Sequence, residues 1–566
     1  MKSISPWRLI RPYWFSEERW LARGLLVLVI AMNLGIVYIN VRLNAWNTNF
    51  YNALEHRDWA VFKSSLIEFT VLAFSFIFLA TFRIYYQQML EFRWRQWITD
   101  RYVDQWLGDR AFYRIERDHL VDNPDQRISE DLRSLATSTL ALSLDLLSNV
   151  VTLISFIVIL WTLSGALSFA LGTMHVHIPG YMVWAAALYA LLGSFMIHKV
   201  GRPLTSISYR QQQVEADFRF LLVRLRENAE QVAFYRGAAA ETQRFRTAFS
   251  HIRDNWWLIM RYTKRLMFAN SIYGQVSSIF PLLAASPRYF AGALSLGLLF
   301  RMADAFGQVS GAMSWFINSY STLADWKATV NRLREFHRIM HLPDPVDGIQ
   351  VETGHDLATH DLQLNLPNGA PLTQVGAVHI PAGARWLISG PSGSGKSTLM
   401  RALAGLWPFG QGRIQTPARE RMMFLPQQSY LPIGTLKAAL CYPSEASAFS
   451  DEACRDVLTA CQLDGLAERL DETGHWENRL SPGEQQRLAM ARALLQRPDY
   501  LFLDEASSAL DVATERRLYD TLLERLPHTA IISVAHRDSL AAYHQHTLKI
   551  EPPGVREETA SGTIAA

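Results

Sequence analysis

Cysteine is nearly absent. The 566 residues hold three, Cys441, Cys454 and Cys461. None stands in a Cys-x-x-Cys pair or a Cys/His cluster, so no framework exists for a structural zinc or a disulfide-stapled fold. Net charge is equally slight: 55 Lys and Arg against 52 Asp and Glu leave +3. Such a total selects no class of partner, and the placement of charge has to carry the argument. A cleavable leader is not expected either. Residues 2–23 are aromatic and rich in arginine, and the first apolar run lacks a small-residue cleavage site.

What is present is unevenly spread. Apolar residues make up 49% and aromatics 12%, but the long apolar runs fall within residues 20–325 and the remainder reads as a soluble α/β protein. Ser5–Trp20 reads as an amphipathic stretch on the cytoplasmic membrane surface, with Trp7, Tyr13, Trp14 and Trp20 at the headgroups beside Arg8, Arg11 and Arg19. A membrane span needs about 20 apolar residues. Six candidates follow: Leu25–Leu43, Leu66–Tyr86, Leu140–Leu163, Tyr181–Val200, Leu266–Ala285 and Ala291–Tyr320, the last two joined by Ser286–Tyr289. Gln87–Ala136 carries eight arginines and Gly201–Arg265 twelve Lys and Arg, whereas Ser164–Gly180 has none. The positive-inside rule then places both termini and the two long basic segments in the cytoplasm.

Those basic segments are rich in helix formers. Ile84–Leu120 and Ser206–Met260 read as membrane helices continuing into the cytosol. Polar stretches at Asn123–Ile128 and Glu215–Gly237 are suited to contacting another domain. Glu68, Asp145, Arg301 and Asp304 lie inside the candidate spans, where charge is costly. Arg301 and Asp304 are three apart on one helix and either pair with each other or line a cavity. Asn33, Asn40, Asn149, Asn270 and Gln308 add polarity compatible with a wet cavity.

The chemistry is concentrated beyond residue 353. A strand at Ala384–Ser389 leads into Gly390-Pro391-Ser392-Gly393-Ser394-Gly395-Lys396-Ser397-Thr398, a full GxxxxGK[ST] match. Its glycines let backbone N–H groups approach phosphate oxygens, with a helix N-terminus behind them. Lys396 is expected on the β- and γ-phosphates and Ser397 on Mg²⁺. Tyr500-Leu501-Phe502-Leu503-Asp504-Glu505 reads as a buried parallel strand, and such sheets place ligands at the carboxyl ends of their strands. Asp504 is a candidate Mg²⁺ ligand and Glu505 a candidate for polarising the attacking water.

Four further segments point to a family. Leu480-Ser481-Pro482-Gly483-Glu484-Gln485-Gln486-Arg487 resembles the signature motif of ABC proteins, and Phe424–Gln427 their Q-loop. Ser508–Asp511 resembles the D-loop, and Ser533–Arg537 the switch-histidine loop. The resemblance implies an α-helical six-span transmembrane domain of the ABC exporter type fused to an α/β P-loop ABC ATPase domain. With the change of composition past His337, the chain divides into an interfacial segment (1–20), a membrane domain (21–340), a linker (341–353), the ATPase domain (354–550) and a disordered tail (551–566). The resemblance further implies ATP and Mg²⁺, with each ATP between the P-loop of one subunit and Ser481 and Gly483 of another. Asp511 would join the nucleotide-binding set, His536 would hold the γ-phosphate, and Gln427 would touch the metal and link it to the membrane domain. One copy of each motif cannot build two such sites, so a homodimer is expected.

Two residues depart from the family pattern. Pro482 replaces the usual signature glycine. The stretch where an adenine-stacking aromatic is common reads Leu364-Asn365-Leu366-Pro367, which leaves Leu366 as the expected apolar contact. A narrower resemblance covers nearly the whole chain. Asn123–Ile128, Glu215–Arg219 and Glu230–Gly237 are similar to segments of the peroxisomal fatty acyl-CoA (subfamily D) transporters. They are equally similar to the bacterial BacA-like and YddA-like transporters, to which Asn44-Ala45-Trp46 and Phe50–Leu54 also point. Some members of the bacterial group take up peptides and cobalamin. The resemblance thus implies a bacterial inner-membrane transporter taking up a hydrophilic solute. Export of lipid, acyl-CoA or drug is the alternative, and a sensor without cargo flux is a reading of another class. No nucleic-acid partner is expected beside six apolar spans.

Overall fold

The computed structural model describes residues 5–171, 174–342, 348–535 and 538–551. The chain divides into two compact units, Met1–Leu342 and Pro343–Ala566.

Long helices make up the first unit: α1 (Arg19–Glu55), α2 (Trp59–Leu107), α3 (Leu132–Ser164), α4 (Tyr181–Glu227), α5 (Ala238–Phe290), α6 (Leu296–Asn318) and α7 (Tyr320–Met340). Asp58 starts α2 by accepting from the backbone N–H groups of Ala60 and Val61 at 3.0 and 3.1 Å, an N-cap that satisfies otherwise orphaned donors. The 49 residues of α2 extend about 74 Å at the usual helical rise, more than twice a bilayer core. The basic segments are mostly helical, as their composition predicts, with breaks near residues 108–110, 118–123, 228 and 235–237. By length and composition, four helices among the described residues can cross a membrane, and they contain the first four candidate spans. The fifth and sixth candidates are helical too, but more polar.

One boundary differs from expectation, and one loop gains structure. The link between the last two spans is not Ser286–Tyr289: α5 continues to Phe290, and residues 291–295 make the turn. Arg288 lies in the final turn of α5 and donates to the backbone carbonyl of Ser164. Ser164–Gly180 contains an antiparallel hairpin of β1 (Ala166–Leu171) and β2 (Met174–Pro179). At its base Gly180 has φ +61°, and a Cβ there would lie 2.4 Å from the Trp161 ring; only glycine fits.

The N-terminal segment is partly core. Tyr13 is fully buried, stacked on buried Trp94 with ring centroids 5.8 Å apart, so it does not sit at the headgroups. Trp7 and Trp20 remain 69% and 74% exposed. Beside the same core, Arg332 on α7 grips both oxygens of Asp131 at 2.9 and 2.6 Å. Arg127 adds a third bond at 3.1 Å. Asp131 is buried, and such a carboxylate requires this degree of pairing.

The second unit holds two sheets. β3 (Gln350–Thr353), β4 (Leu357–Asn365), β5 (Pro371–Val375), β6 (Val378–Ile380) and β8 (Gly410–Thr416) form a largely antiparallel one. Gln350–Thr353, expected as linker, is thus an edge strand beside β8. The other sheet is parallel: β7 (Arg385–Ser389), β9 (Met422–Leu425), β10 (Tyr500–Asp504), β11 (Ala530–Val534) and β12 (His546–Lys549), in the order β12-β7-β11-β10-β9. All of β11 and the apolar run of β10 are buried, as expected of parallel strands covered on both faces. The helices that position the chemistry are α8 (Lys396–Leu403), α9 (Pro482–Gln496) and α10 (Val512–Arg525). The tail at 552–566 lies outside the described residues.

Candidate ATPase site

The site forms where β7 and β10 end. The chain leaves β7 through Gly390, Gly393 and Gly395, at φ +155°, +80° and +98°, a left-handed run that glycine adopts at little cost. A Cβ on Gly390 would come within 2.3 Å of the Ile550 carbonyl. Pro391 and Ser392 are exposed, Thr398 is half-buried, and the Ser394 hydroxyl is buried with no hydrogen-bond partner among the described residues. Lys396 opens α8 and donates to the carbonyls of Gly390 and Pro391 at 2.9 and 2.8 Å.

One residue further, the Ser397 hydroxyl donates to Asp504 at 3.2 Å. Burial pushes the Asp504 carboxyl above its ordinary range; the Ser397 bond opposes that and the neighbouring Glu505 adds to it. Glu505 stands just past the strand at φ +52°, its backbone N–H held by the Val534 carbonyl at 3.1 Å. Gln427 donates to the Glu505 carboxylate at 3.2 Å. The structure therefore brings Lys396, Ser397, Asp504, Glu505 and Gln427 together around the two strand ends. A hydroxyl, a carboxylate and an amide oxygen are hard donors of the kind Mg²⁺ takes, so Ser397, Asp504 and Gln427 fit that ion. His536 lies outside the described residues.

Ser481 and Gly483 sit apart from this cluster, at the start of α9. Ser481 is exposed and caps the helix in a reciprocal box with Glu484: its backbone N–H donates to the Glu484 carboxylate at 2.9 Å, and the Glu484 N–H donates back to its hydroxyl at 3.4 Å. The Ser481 hydroxyl holds the Glu484 carboxyl below its usual range. Pro482 occupies the first helical position, where its fixed φ is favourable and no N–H is needed. This departure from the family pattern therefore keeps the helix start intact. Asp511 caps α10, accepting from Ala513 and Thr514 at 3.0 Å each. Leu366 lies in a turn and is 38% exposed. The apolar side chain packed beside the P-loop is Leu372, whose Cγ would be 3.1 Å from a Cβ on Gly395.

Gln486 lies within the signature-like segment, which by itself assigns it no role. It is buried on α9. Its amide donates to the Ser508 hydroxyl at 3.1 Å and reaches the Gln427 carbonyl at 3.5 Å, and its oxygen accepts from the Ala509 N–H at 2.9 Å. One side chain so ties the signature helix to the Q-loop and D-loop. Its position three residues after Gly483, on the inward face of a helix, was the available signal. The three cysteines are buried, and burial pushes the Cys441 and Cys461 thiols up to about 12, which leaves them unreactive.

Comparison with known proteins agrees with this geometry. The ABC transporter transmembrane region 2 family matches residues 9–290, and the ABC transporter family matches 375–508. The inner membrane ABC transporter ATP-binding protein YddA of Escherichia coli (strain K12) is 33% identical over 94% of each chain. The chain belongs to the ABC transporter family. Within it the transporter is also similar to ABC transporter D family member 2 of Arabidopsis thaliana, at 31% identity over 96% of this chain and 85% of that one. ATP-binding cassette sub-family D member 3 of Mus musculus is 26% identical over 97% and 87%. In fold it is similar to a bacterial Atm1-family ABC exporter with ATP bound, with a TM-score of 0.73, 20% identity and coverage of 94% and 93%. The transporter is thus a YddA-like half-transporter of the inner membrane that couples ATP hydrolysis to transport, and half-transporters of this family generally dimerise.

Proposed function

We propose that two copies of this chain form a homodimer that takes up a hydrophilic solute, peptide or cobalamin-like, across the bacterial inner membrane. Both termini and the ATPase units face the cytoplasm. The observation that supports a hydrophilic cargo is a polar knot inside the membrane unit. Asn44 on α1 donates to the Asp304 carboxylate at 2.6 Å and accepts from the Arg301 guanidinium at 3.1 Å. Asn44 thus bridges the two charges, for which direct pairing and a cavity lining were the two expectations. Arg42 and Glu68 pair at 2.9 Å, and Asn33 donates to the Leu144 carbonyl at 3.0 Å. Intramembrane polar groups of this density mark solute paths more often than lipid-facing surface.

At each shared site the P-loop residues 390–398 of one copy and Ser481 and Gly483 of the other enclose ATP, with Asp511 and His536 completing the set. Ser397, Asp504 and Gln427 would hold Mg²⁺, which neutralises charge developing on the transferred phosphate. Lys396 exchanges its two carbonyl partners for phosphate oxygens. Glu505 orients and polarises the attacking water, and Gln427 fixes that carboxylate. ATP draws the two ATPase units together, and hydrolysis releases them. The helix turns at residues 123–131 and 228–237 pass this motion to the membrane helices by rigid-body displacement. Phe234 and Tyr235 at the second turn are 79% and 87% exposed.

The sub-family D relatives favour a second reading, movement of lipid or fatty acyl-CoA. Proteoliposomes holding the protein in either orientation separate the two. Labelled cobalamin or peptide moving from the periplasmic to the cytoplasmic face with ATP supports uptake; acyl-CoA movement, or solute moving the other way, overturns it. ATP hydrolysis with no flux of any of them would make the protein a sensor.

A further inference from the structure

An open cavity of about 520 Å³ lies between the N-terminal segment and the helices of the first unit. That volume is in the about 300–1,000 Å³ range of small-molecule sites. Its wall is apolar and aromatic: Trp7, Trp14, Trp94 and Trp326, with Leu26 and Leu140. Trp326 is held in place by donating to the Thr139 hydroxyl at 2.8 Å, and Trp94 is fixed by its stack on Tyr13. The wall is therefore rigid.

The rim is basic. Arg8, Arg11 and Arg19 are exposed on the same short segment. Arg23 donates twice to the carbonyl of cavity-lining Trp14, at 3.1 and 2.9 Å, and faces the Phe15 ring at 4.9 Å. Glu18, one of two acidic residues there, is paired with Arg93 at 3.4 Å. An apolar slot lined with tryptophan, one wall of which belongs to a short segment carrying exposed arginines, matches the two ends of one kind of molecule. A free protein partner would find Trp7, Phe15 and Trp20, exposed by 69%, 58% and 74%, already occupied by the membrane surface that such residues enter.

We propose that this cavity binds an anionic phospholipid of the cytoplasmic leaflet, with an acyl chain against the tryptophans and the phosphate over Arg8, Arg11 and Arg19. The lipid anchors the N-terminal segment against α2 and α7. The leaflet, though not the binding, rests on the cytoplasmic placement of the termini. Crosslinking in detergent is blind to leaflet, so failure of the site and failure of the topology are separable.

The test uses the full-length protein in a zwitterionic detergent with phosphatidylglycerol or phosphatidylcholine carrying a diazirine in one acyl chain. Phosphatidylglycerol should label residues 6–14 and 139–143, about fivefold more than phosphatidylcholine. Neutralising the rim (Arg8→Gln, Arg11→Gln and Arg19→Gln together) should abolish that preference. Filling the slot with Ser143→Phe should reduce labelling by both lipids. ATPase activity verifies that each variant is folded. Equal labelling by both lipids in the wild type, labelling elsewhere only, or an unchanged preference in the arginine variant would overturn the proposal.

Discussion

In the ATPase unit, polar side chains from distant parts of the sequence converge at the carboxyl ends of one parallel sheet. Ser397, Asp504, Glu505 and Gln427 meet there within two hydrogen bonds of 3.2 Å. In the membrane unit the polar groups are strung along helices of up to 53 residues and tied off in local knots: Asn44 with Arg301 and Asp304, Asp131 with Arg332. The difference follows from backbone geometry. A parallel sheet gathers its strand ends into one crevice. A helix bundle has no such focus, so each buried polar group must be satisfied where it stands. Chemistry is thereby fixed in one unit and left adjustable in the other.

The largest effect should come from the point of convergence. Glu505→Gln keeps the geometry and the Gln427 contact but removes the carboxylate. Steady-state phosphate release should fall about 100-fold or more, with ATP binding retained; hydrolysis near the wild-type rate would refute Glu505's role. Next is the knot in the membrane. Asn44→Leu leaves Arg301 and Asp304 without their shared partner. Solute flux should fall about tenfold while ATP turnover in detergent stays within about twofold. Equal losses in both would show that the knot only supports folding.

How much of this was legible beforehand divides along the same line. Lys396, Asp504 and Gln427 are recognisable because phosphate and metal chemistry demands those residue types in a fixed order, whatever surrounds them. The length of α2 was legible too, since helix formers run through its basic half. Tyr13 was not. An aromatic among arginines at a membrane surface has the same composition whether it faces lipid or stacks on Trp94, and only tertiary packing decides. The Asn44 bridge was hidden because its partners lie 257 and 260 residues away. The hairpin at 166–179 was hidden because β1 and β2 have little to set them apart from a loop.

A comparable effect should follow from Gln486→Leu, which removes the bonds from this buried amide to the Ser508 hydroxyl and the Ala509 N–H, at about 0.5–1.5 kcal/mol each. Turnover should drop about tenfold with the apparent ATP affinity nearly unchanged; a lower affinity with normal turnover would assign Gln486 to binding. The smallest effect tests the membrane unit again, outside its spans. Burial, with nearby His341, Arg101 and Arg8, pushes His337 down to about 4. Its unfolded value is about 6.5, so the unfolded chain binds the extra proton between these limits. Its contribution to stability is full above about pH 6.5 and is lost as pH falls toward 4. His337→Gln should flatten the acid side of a melting-temperature profile by about 2–4 °C, and an unchanged profile would remove His337 from the account.

The central claim is that ATP is spent at a seam between two copies and the motion is passed to the helices of the same chains. Nanodiscs sized and sorted to hold one copy or two test it directly. Discs with two copies should hydrolyse ATP and single-copy discs should stay at background. Equal turnover per chain in both would contradict the account.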